Sequence, residues 1–263
     1  MTTHSRIVLV ETSHPGNIGA AARAMRVMGL EELWLVRPHR FPHAEATAMA
    51  AHADDVLASA RVVDTLEEAL SGCTMAFGTS ARRRALGWTE HDARSAALHV
   101  AAGGGDTVAA FVFGRERTGL TNAELDRCHF MLHVPTAGDY GSLNLAQAVQ
   151  IVAYELRMAQ AEASPRADSD PPPTHEDLER FHAHLAQALT DIGFLDPDNP
   201  RQLLRRLRRY FNRSEPTAVE LNILRGILRA AQEPKPGSLT RERLRASPGA
   251  DRGATITDRN DQE

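Results

Sequence analysis

Three short segments place hydrogen-bonding side chains, glycines and a guanidinium where apolar runs end. The first, Glu11-Thr-Ser-His-Pro15-Gly-Asn17-Ile18-Gly19-Ala-Ala-Ala-Arg23, joins an apolar run to an alanine-rich stretch. Asn17 is suited to cap a helix there, Gly19 and the alanines permit close backbone packing, and Arg23 falls about one and a half turns in. The second, Phe113-Gly114-Arg-Glu116-Arg-Thr-Gly119-Leu120-Thr121, follows a strongly apolar run. Its glycines let a backbone approach a ligand, and Thr121 is suited to cap a helix over 122–127. The third runs from Val134-Pro135 through Gly138, Asp139 and Tyr140 to Gly141-Ser142-Leu143-Asn144. Ser142 is suited to cap the helix that follows, with Asn144 in its first turn, where backbone N–H groups are free to meet a ligand. Each segment taken alone also reads as an ordinary strand–turn–helix joint. The first lacks the G-x-G-x-x-G spacing of a dinucleotide site, which makes a nucleotide-dependent oxidoreductase a poor fit.

Other residues point to anion contact rather than metal chemistry. Arg82, Arg83 and Arg84 are consecutive at an expected strand end, where they suit phosphate, although a solvated charge run looks the same. Near the C-terminus lie Arg201, Arg205, Arg206, Arg208, Arg209 and Arg213, with no acidic residue between 199 and 213. A helix face of this kind can track an RNA backbone, with Tyr210 or Phe211 able to stack on a base; Phe211 suits a core position equally well. Cys73 and Cys128 are distant and form no CxxC pair, and the histidines show no ligand spacing, so no metal is expected.

The chain around these segments has 263 residues, 42% hydrophobic and 24% charged, with a net charge of -4. That composition supplies a folded core and excludes collagen-like or wholly disordered classes. Lys235 is the sole lysine among 30 basic residues. Arginine suits planar contact with phosphates and bases, but a GC-rich genome gives the same bias. With an acidic total, nucleic-acid binding requires local basic patches. No apolar run is long enough to span a bilayer, and the N-terminal apolar patch is too short for a signal core. With two unpaired cysteines, a cytoplasmic location is expected.

Short apolar runs at 7–10, 33–36, 74–77, 108–113 and 130–134 alternate with helical patterns at 17–28, 122–127 and 143–161. The expected fold class is therefore α/β, a mostly parallel sheet with helices on both faces and ligands beyond the C-terminal strand ends. Residues 1–163 form this unit. A Pro/Ser/Asp-rich linker spans 164–173, and a purely helical unit spans 174–232, with helices at 175–193, 200–212 and 216–231. In the first of these helices Leu178, Phe181, Leu185 and Leu189 share a face. In the last, Val219, Ile223, Leu224, Ile227 and Leu228 are expected to face inward. The tail, 233–263, is charged and poor in large apolar residues and reads as disordered, with a short helix at 240–246.

In order and spacing, the three segments resemble the SPOUT superfamily of RNA methyltransferases, and within it the SpoU branch of ribose 2′-O-methyltransferases. That branch shows E-x-x-x-P-x-N-I-G-x-x-x-R, then G-x-E-x-x-G, then P…G…S-L-N, and all three occur here within residues 5–160. The first segment, the stretch FGRERTGLTN and the short helical C-terminal unit are similar to the bacterial TrmJ tRNA methyltransferases, which act on the 2′-OH of nucleotide 32 in the anticodon loop. The resemblance implies a parallel-sheet SPOUT domain with a C-terminal trefoil knot, followed by a small all-helical domain. It implies a homodimer, tRNA as partner and S-adenosyl-L-methionine as cofactor. It assigns Arg23, Ser142 and Asn144 to catalysis, and Thr79, Ser80, Ala81, Gly114, Val134, Gly141, Ser142 and Leu143 to the cofactor. Arg82, Arg84, Arg205 and Arg209 are expected to contact RNA. Glu11, Asn17 and Glu116 are expected to organise the motif loops, with Glu116 either an arginine partner or simply a turn carboxylate. Two other readings use the same residues: a 2′-O-methyltransferase for another tRNA position or ribosomal RNA, and an inactive RNA-binding relative. The base preference between cytidine and uridine stays open.

Overall fold

The computed structural model describes residues 4–81, 89–104, 107–137, 141, 143–162 and 170–233. The sheet part contains β1 (His4–Val10), α1 (Pro15–Met28), β2 (Glu32–Val36), α2 (Ala44–Ala50), α3 (Asp54–Ala58), β3 (Arg61–Val63), α4 (Leu66–Leu70) and β4 (Met75–Thr79). It continues with β5 (Glu90–His91), α5 (Ala93–Ala102), β6 (Val108–Phe113), α6 (Asn122–Asp126), β7 (Phe130–Leu132) and α7 (Leu145–Glu162). Helices α8 (His175–Asp191), α9 (Leu203–Ser214) and α10 (Ala218–Gln232) follow.

The strands read as continuous apolar runs because both faces of the sheet are covered. In β1, Ile7 and Leu9 join the core under α1, α5 and α7, whereas Val8 and Val10 join the core under α4 and α6. This is the two-residue period of an extended chain. The strand order is β3-β2-β1-β6-β4-β7-β5, with every pair parallel. Phe77 stacks on Phe111 at 5.0 Å and lies 5.1 Å from Phe130, so one aromatic row ties β6, β4 and β7 together. Burying each such ring contributes on the order of 2–3 kcal/mol. Gly19 allows α1 to lie against α2: a Cβ there would sit 2.0 Å from the Ala46 carbonyl oxygen.

The order places β7, late in the chain, between β4 and β5, which are nearly consecutive. Leu132 pairs with Thr79 on one side and His91 on the other. The connection from Thr79 to Glu90 therefore begins on one side of β7 and ends on the other. The chain leaving that strand runs between its two ends: Ser80 N–H donates to the Leu132 carbonyl at 2.9 Å, and His133 N–H to the His91 carbonyl at 2.8 Å. The expected trefoil knot falls on connections that include residues 82–88, 138–140 and 142, which lie outside the described residues.

The helical part docks at the opposite end of the sheet, where β4 and β7 begin. His175 N–H donates to the Cys73 carbonyl at 2.6 Å and Gly72 N–H to Glu176 at 3.0 Å. Buried Asn212 donates to the Cys128 carbonyl at 3.3 Å and lies 3.2 Å from His182 Nε2. Burial pushes His129 down to about 3, so the neutral ring accepts from Ala76 N–H at 2.9 Å through Nδ1.

Several sequence expectations shift. His14, not Asn17, occupies the cap position of α1, and Pro15 fills the first turn, where its missing N–H costs nothing. Thr121 does cap α6, in a reciprocal box with Glu124. Ser142 lies outside the described residues; Asn144 caps α7, its Oδ1 accepting from Ala146 N–H at 2.9 Å. In α8, Leu178, Phe181 and Leu185 are buried, with Leu189 packed on them, as the spacing predicts. The face of α10 differs. Leu221, Leu224 and Leu228 pack toward α8, while Val219, Ile223 and Ile227 are 48%, 58% and 60% exposed. A helix packed along one stripe leaves its other apolar residues outside. The short elements between 39 and 72, together with β5 and α5, carry too little periodicity to be read from the sequence. The proposed tail beyond 233 and most of the linker lie outside the described residues.

Candidate active site

The C-terminal strand ends gather the three motif segments. Glu116, just after β6, reaches the loop before α1. Its carboxylate accepts from Ser13 N–H at 3.2 Å, Ser13 Oγ–H at 2.9 Å, His14 N–H at 3.2 Å and Asn17 Nδ2–H at 3.0 Å. Partial burial works against the charge, yet the bonds from Asn17 and from the Ser13 and His14 N–H groups hold the acid down at about 2. A carboxylate this far below neutrality and this saturated with donors makes a poor proton acceptor. It is a clamp.

The clamp extends to the third segment. Freed from capping, the Asn17 side chain donates to Glu116 and presents its Oδ1 to Asn144 Nδ2–H at 3.0 Å. Asn144 in turn caps α7. One hydrogen-bonded line, Glu116–Asn17–Asn144, thus joins the loop after β6, the start of α1 and the start of α7.

A second line braces the first. Glu11 ends β1 in a left-handed conformation (φ 47°), as does Arg37 beyond the end of β2 (φ 44°), and the two side chains pair. Such backbone costs on the order of 1–2 kcal/mol per residue and needs partners. Arg115 donates Nε–H to Glu11 at 2.7 Å and a fork of two bonds to Glu124, each 3.0 Å. The Arg115 bond is the foremost cause lowering the Glu11 acid, and the Glu124 and Glu11 bonds hold the Arg115 guanidinium charged. Gly114 is required by packing: a Cβ would lie 2.2 Å from Gly119 C and 2.3 Å from Leu120 N. The tight fold-back of the 114–120 loop therefore requires glycine at this position.

Arg23 stands exposed on α1, with no ion pair or hydrogen bond among the described residues. It lies six residues, about 9 Å of helix axis, beyond Asn17. Thr79, Ser80 and Val134 sit half-buried at the ends of the neighbouring strands β4 and β7, Gly141 and Leu143 are half-buried as well, and Ala81 is exposed. Thr79 Oγ1–H donates to the Val112 carbonyl at 3.0 Å, and His133 Nδ1 lies 3.1 Å from the Ser80 carbonyl. Arg82, Arg84 and Ser142 lie outside the described residues.

Arg205 and Arg209 are placed elsewhere. Both reach Asp126 of α6, Arg205 at 2.7 Å and Arg209 at 3.6 Å, while Arg208 pairs with Glu179. They form the joint between α9 and the rest of the chain, at the end of the sheet away from the motif loops. The sequence shows the run of arginines but not which acids meet it. Ser13, Arg115 and Glu124 were also missed as site residues. The one signal available for them was the T-x-x-E capping box at Thr121.

Residues 4–154 match the family model described as the SpoU rRNA methylase family, and residues 176–243 match the TrmJ C-terminal domain. The tRNA (cytidine/uridine-2′-O-)-methyltransferase TrmJ of Klebsiella pneumoniae is 49% identical over 90% of this chain and 100% of its own. The chain belongs to the TrmJ family of SpoU methyltransferases. Another TrmJ relative, the tRNA (cytidine/uridine/adenosine-2′-O-)-methyltransferase of Pseudomonas aeruginosa, is 50% identical over 89% of this chain and 95% of its own. Among solved structures, TrmJ from Z. mobilis superposes with a TM-score of 0.76 at 33% identity, covering 87% of this chain and 99% of that one. A probable methylase family protein from Haemophilus influenzae matches with a TM-score of 0.59 at 43% identity, covering 88% and 97%.

Proposed function

We propose that this TrmJ-family enzyme transfers a methyl group from S-adenosyl-L-methionine to the ribose 2′-OH of the pyrimidine at position 32 in the tRNA anticodon loop. The observation that carries the reading is the Glu116–Asn17–Asn144 line, which brings all three motif segments to one end of the sheet, at the start of the helix that carries Arg23. The relatives' 2′-O-methyltransferase activity on tRNA supports the reaction and substrate class. Position 32 rests on the family resemblance of the sequence.

The residues present fit the cofactor. The ends of the adjacent strands β6, β4 and β7 converge, and the loops beyond them offer backbone groups beside half-buried Thr79, Val134 and Leu143. Among the described residues, a Cβ at Gly141 would meet only Thr136 Oγ1, at 3.7 Å. In this reading Thr79, Ser80, Ala81, Gly114, Val134 and Gly141–Leu143 hold the cofactor, which supplies a sulfonium-bound methyl that needs no further activation. The family resemblance assigns Ser142 to catalysis as well. Arg23 orients the ribose hydroxyl and its neighbouring phosphate and stabilises negative charge growing on the oxygen. A guanidinium stays protonated in proteins, so it does not take the proton. Asn144 is held by Asn17 and fixes the start of α7 against the loop that carries Arg23's helix.

In this reading residues 1–163 form the methyltransferase unit, for which the family resemblance implies a C-terminal trefoil knot. Residues 174–232 form the helical unit, and the working form is a homodimer. Exposed Leu98, Tyr154 and Met158 on the packed pair α5 and α7 support a covered face there. Methylation of tRNA is cytoplasmic work. No helix among the described residues is long and apolar enough to cross a membrane, and no cluster among them has metal ligands.

The test uses unmodified tRNA transcripts, S-adenosylmethionine and purified protein, with nucleoside mass spectrometry after digestion. A 2′-O-methylated pyrimidine mapping to nucleotide 32, absent with Arg23→Ala, is expected. Methylation at another nucleotide, or of ribosomal RNA alone, would replace the substrate assignment. The assay also reads adenosine, which the P. aeruginosa relative's name includes.

A further inference from the structure

The ten residues from Arg205 to Ser214 divide by partner. Arg205, Arg209 and Asn212 face the joint with α6 and the start of β7. Leu207 and Phe211 pack on α8, with Phe211 edge-on to Phe181 at 4.7 Å, and Arg208 pairs with Glu179. The remaining face carries Arg206, Tyr210 and Arg213, spaced i, i+4 and i+7, so they stand in one row. All three are exposed, Tyr210 at 55%. Neither Arg206 nor Arg213 has an ion pair among the described residues. Acids on or facing this helix have other partners: Asp126 holds two inward arginines, Glu179 holds Arg208, and Glu215 lies 2.7 Å from His99. Two guanidinium groups without an ion pair among the described residues flank an exposed phenol ring, an arrangement that suits a stacked, phosphate-bearing strand.

The position of the row adds a constraint. The helical part docks where β4 and β7 begin, and the motif loops lie where they end. About 20 Å of strand separates the two ends. The docking contacts of the helical part at Cys73 and Cys128 and the motif loops therefore lie at opposite ends of these strands.

Building on the tRNA reading above, we propose that Arg206, Tyr210 and Arg213 bind the tRNA at a part remote from the methylated ribose. They replace Arg205 and Arg209 as the RNA contacts of α9. The row should add affinity for whole tRNA that the isolated anticodon stem-loop cannot gain.

The test measures binding of the full chain to a fluorescent tRNA transcript and to its isolated anticodon stem-loop across a salt series. Two variants are used, Arg206→Gln/Arg213→Gln and Tyr210→Ala. Because all three residues are exposed and neither arginine has an ion pair among the described residues, both variants should keep the wild-type melting temperature and cofactor affinity. For the double variant, whole-tRNA affinity should fall roughly tenfold or more near physiological salt. The slope of log K against log salt should become shallower by about 1.5 to 2, as for two lost phosphate contacts. Tyr210→Ala should lower whole-tRNA affinity about tenfold with little change in slope. Stem-loop binding should be unchanged in both. Wild-type affinity and slope on whole tRNA in the double variant would overturn the proposal, as would an equal loss on the stem-loop. A wild-type chain that neither binds nor methylates any tRNA would defeat the functional reading itself, and this inference with it.

Discussion

Replacing Glu116 tests whether the motif loops are held by one carboxylate. Its Oε1 receives three N–H groups, from Ser13, His14 and Asn17, and its Oε2 receives the Ser13 hydroxyl and shares the Ser13 N–H. In Glu116→Gln, a carbonyl oxygen keeps the Oε1 contacts and the new amide donates to Ser13 Oγ, whose hydroxyl can rotate to accept. Only the charge and half of a shared bond are lost, a cost of about 1 kcal/mol. Glu116→Ala leaves four donors without their acceptor. Water reaches this half-exposed site, so we expect about 2 kcal/mol rather than the full sum of bonds. For a chain of this size those costs correspond to melting-temperature drops of about 3 °C and about 6 °C. The functional effect should exceed the stability effect, because Asn17 then loses its anchor and with it the link to Asn144. Single-turnover methylation should fall about tenfold in Glu116→Ala and less in Glu116→Gln. The pH dependence follows from the same bonds. The folded acid is depressed to about 2 from an ordinary value of 4.5, so its contribution is complete above about pH 4.5 and is lost as pH falls toward 2. The stability gap between wild type and Glu116→Gln, measured by urea unfolding, should close over that window and stay constant from pH 5 to 8. Equal stability and single-turnover rate in wild type and Glu116→Ala would refute the clamp.

Three further outcomes are expected. Arg23→Ala should reduce the methylation rate on the order of 100-fold or more while leaving the melting temperature unchanged, because the side chain is exposed and unpartnered among the described residues. Gly19→Ala should destabilise by roughly 2–3 kcal/mol, read by urea denaturation, since the new methyl would stand 2.0 Å from the Ala46 carbonyl oxygen and force α1 from α2. Cys73 and Cys128 are buried, and desolvation raises both thiols to about 12. Thiol reagents at pH 8 should therefore label neither in the native enzyme and both in urea, and rapid native labelling would contradict that burial.

The sequence alone determined the parts set by local chemistry. Apolar runs such as 108–113 announce buried strands because both faces of a covered sheet must be apolar, and β6 has those bounds. The spacing of Leu178, Phe181, Leu185 and Leu189 announces one helix face, and the T-x-x-E at Thr121 announces a cap. The motif order from Glu11 to Asn144 carried the family, because side-chain type and spacing survive in the sequence itself. Tertiary structure decided what depends on contacts between distant residues. Asn17 reads as a cap but sits inside α1, free to link Glu116 and Asn144, which lie 99 and 127 residues away. Val219, Ile223 and Ile227 are as apolar as their buried neighbours, but they lie off the stripe of α10 that packs into the helical core and stay exposed. The arginines of α9 look alike along the chain. Only the placement of Asp126 and Glu179 separates those that join the two parts from those that face solvent, because an ion pair needs its partner in space, not in sequence.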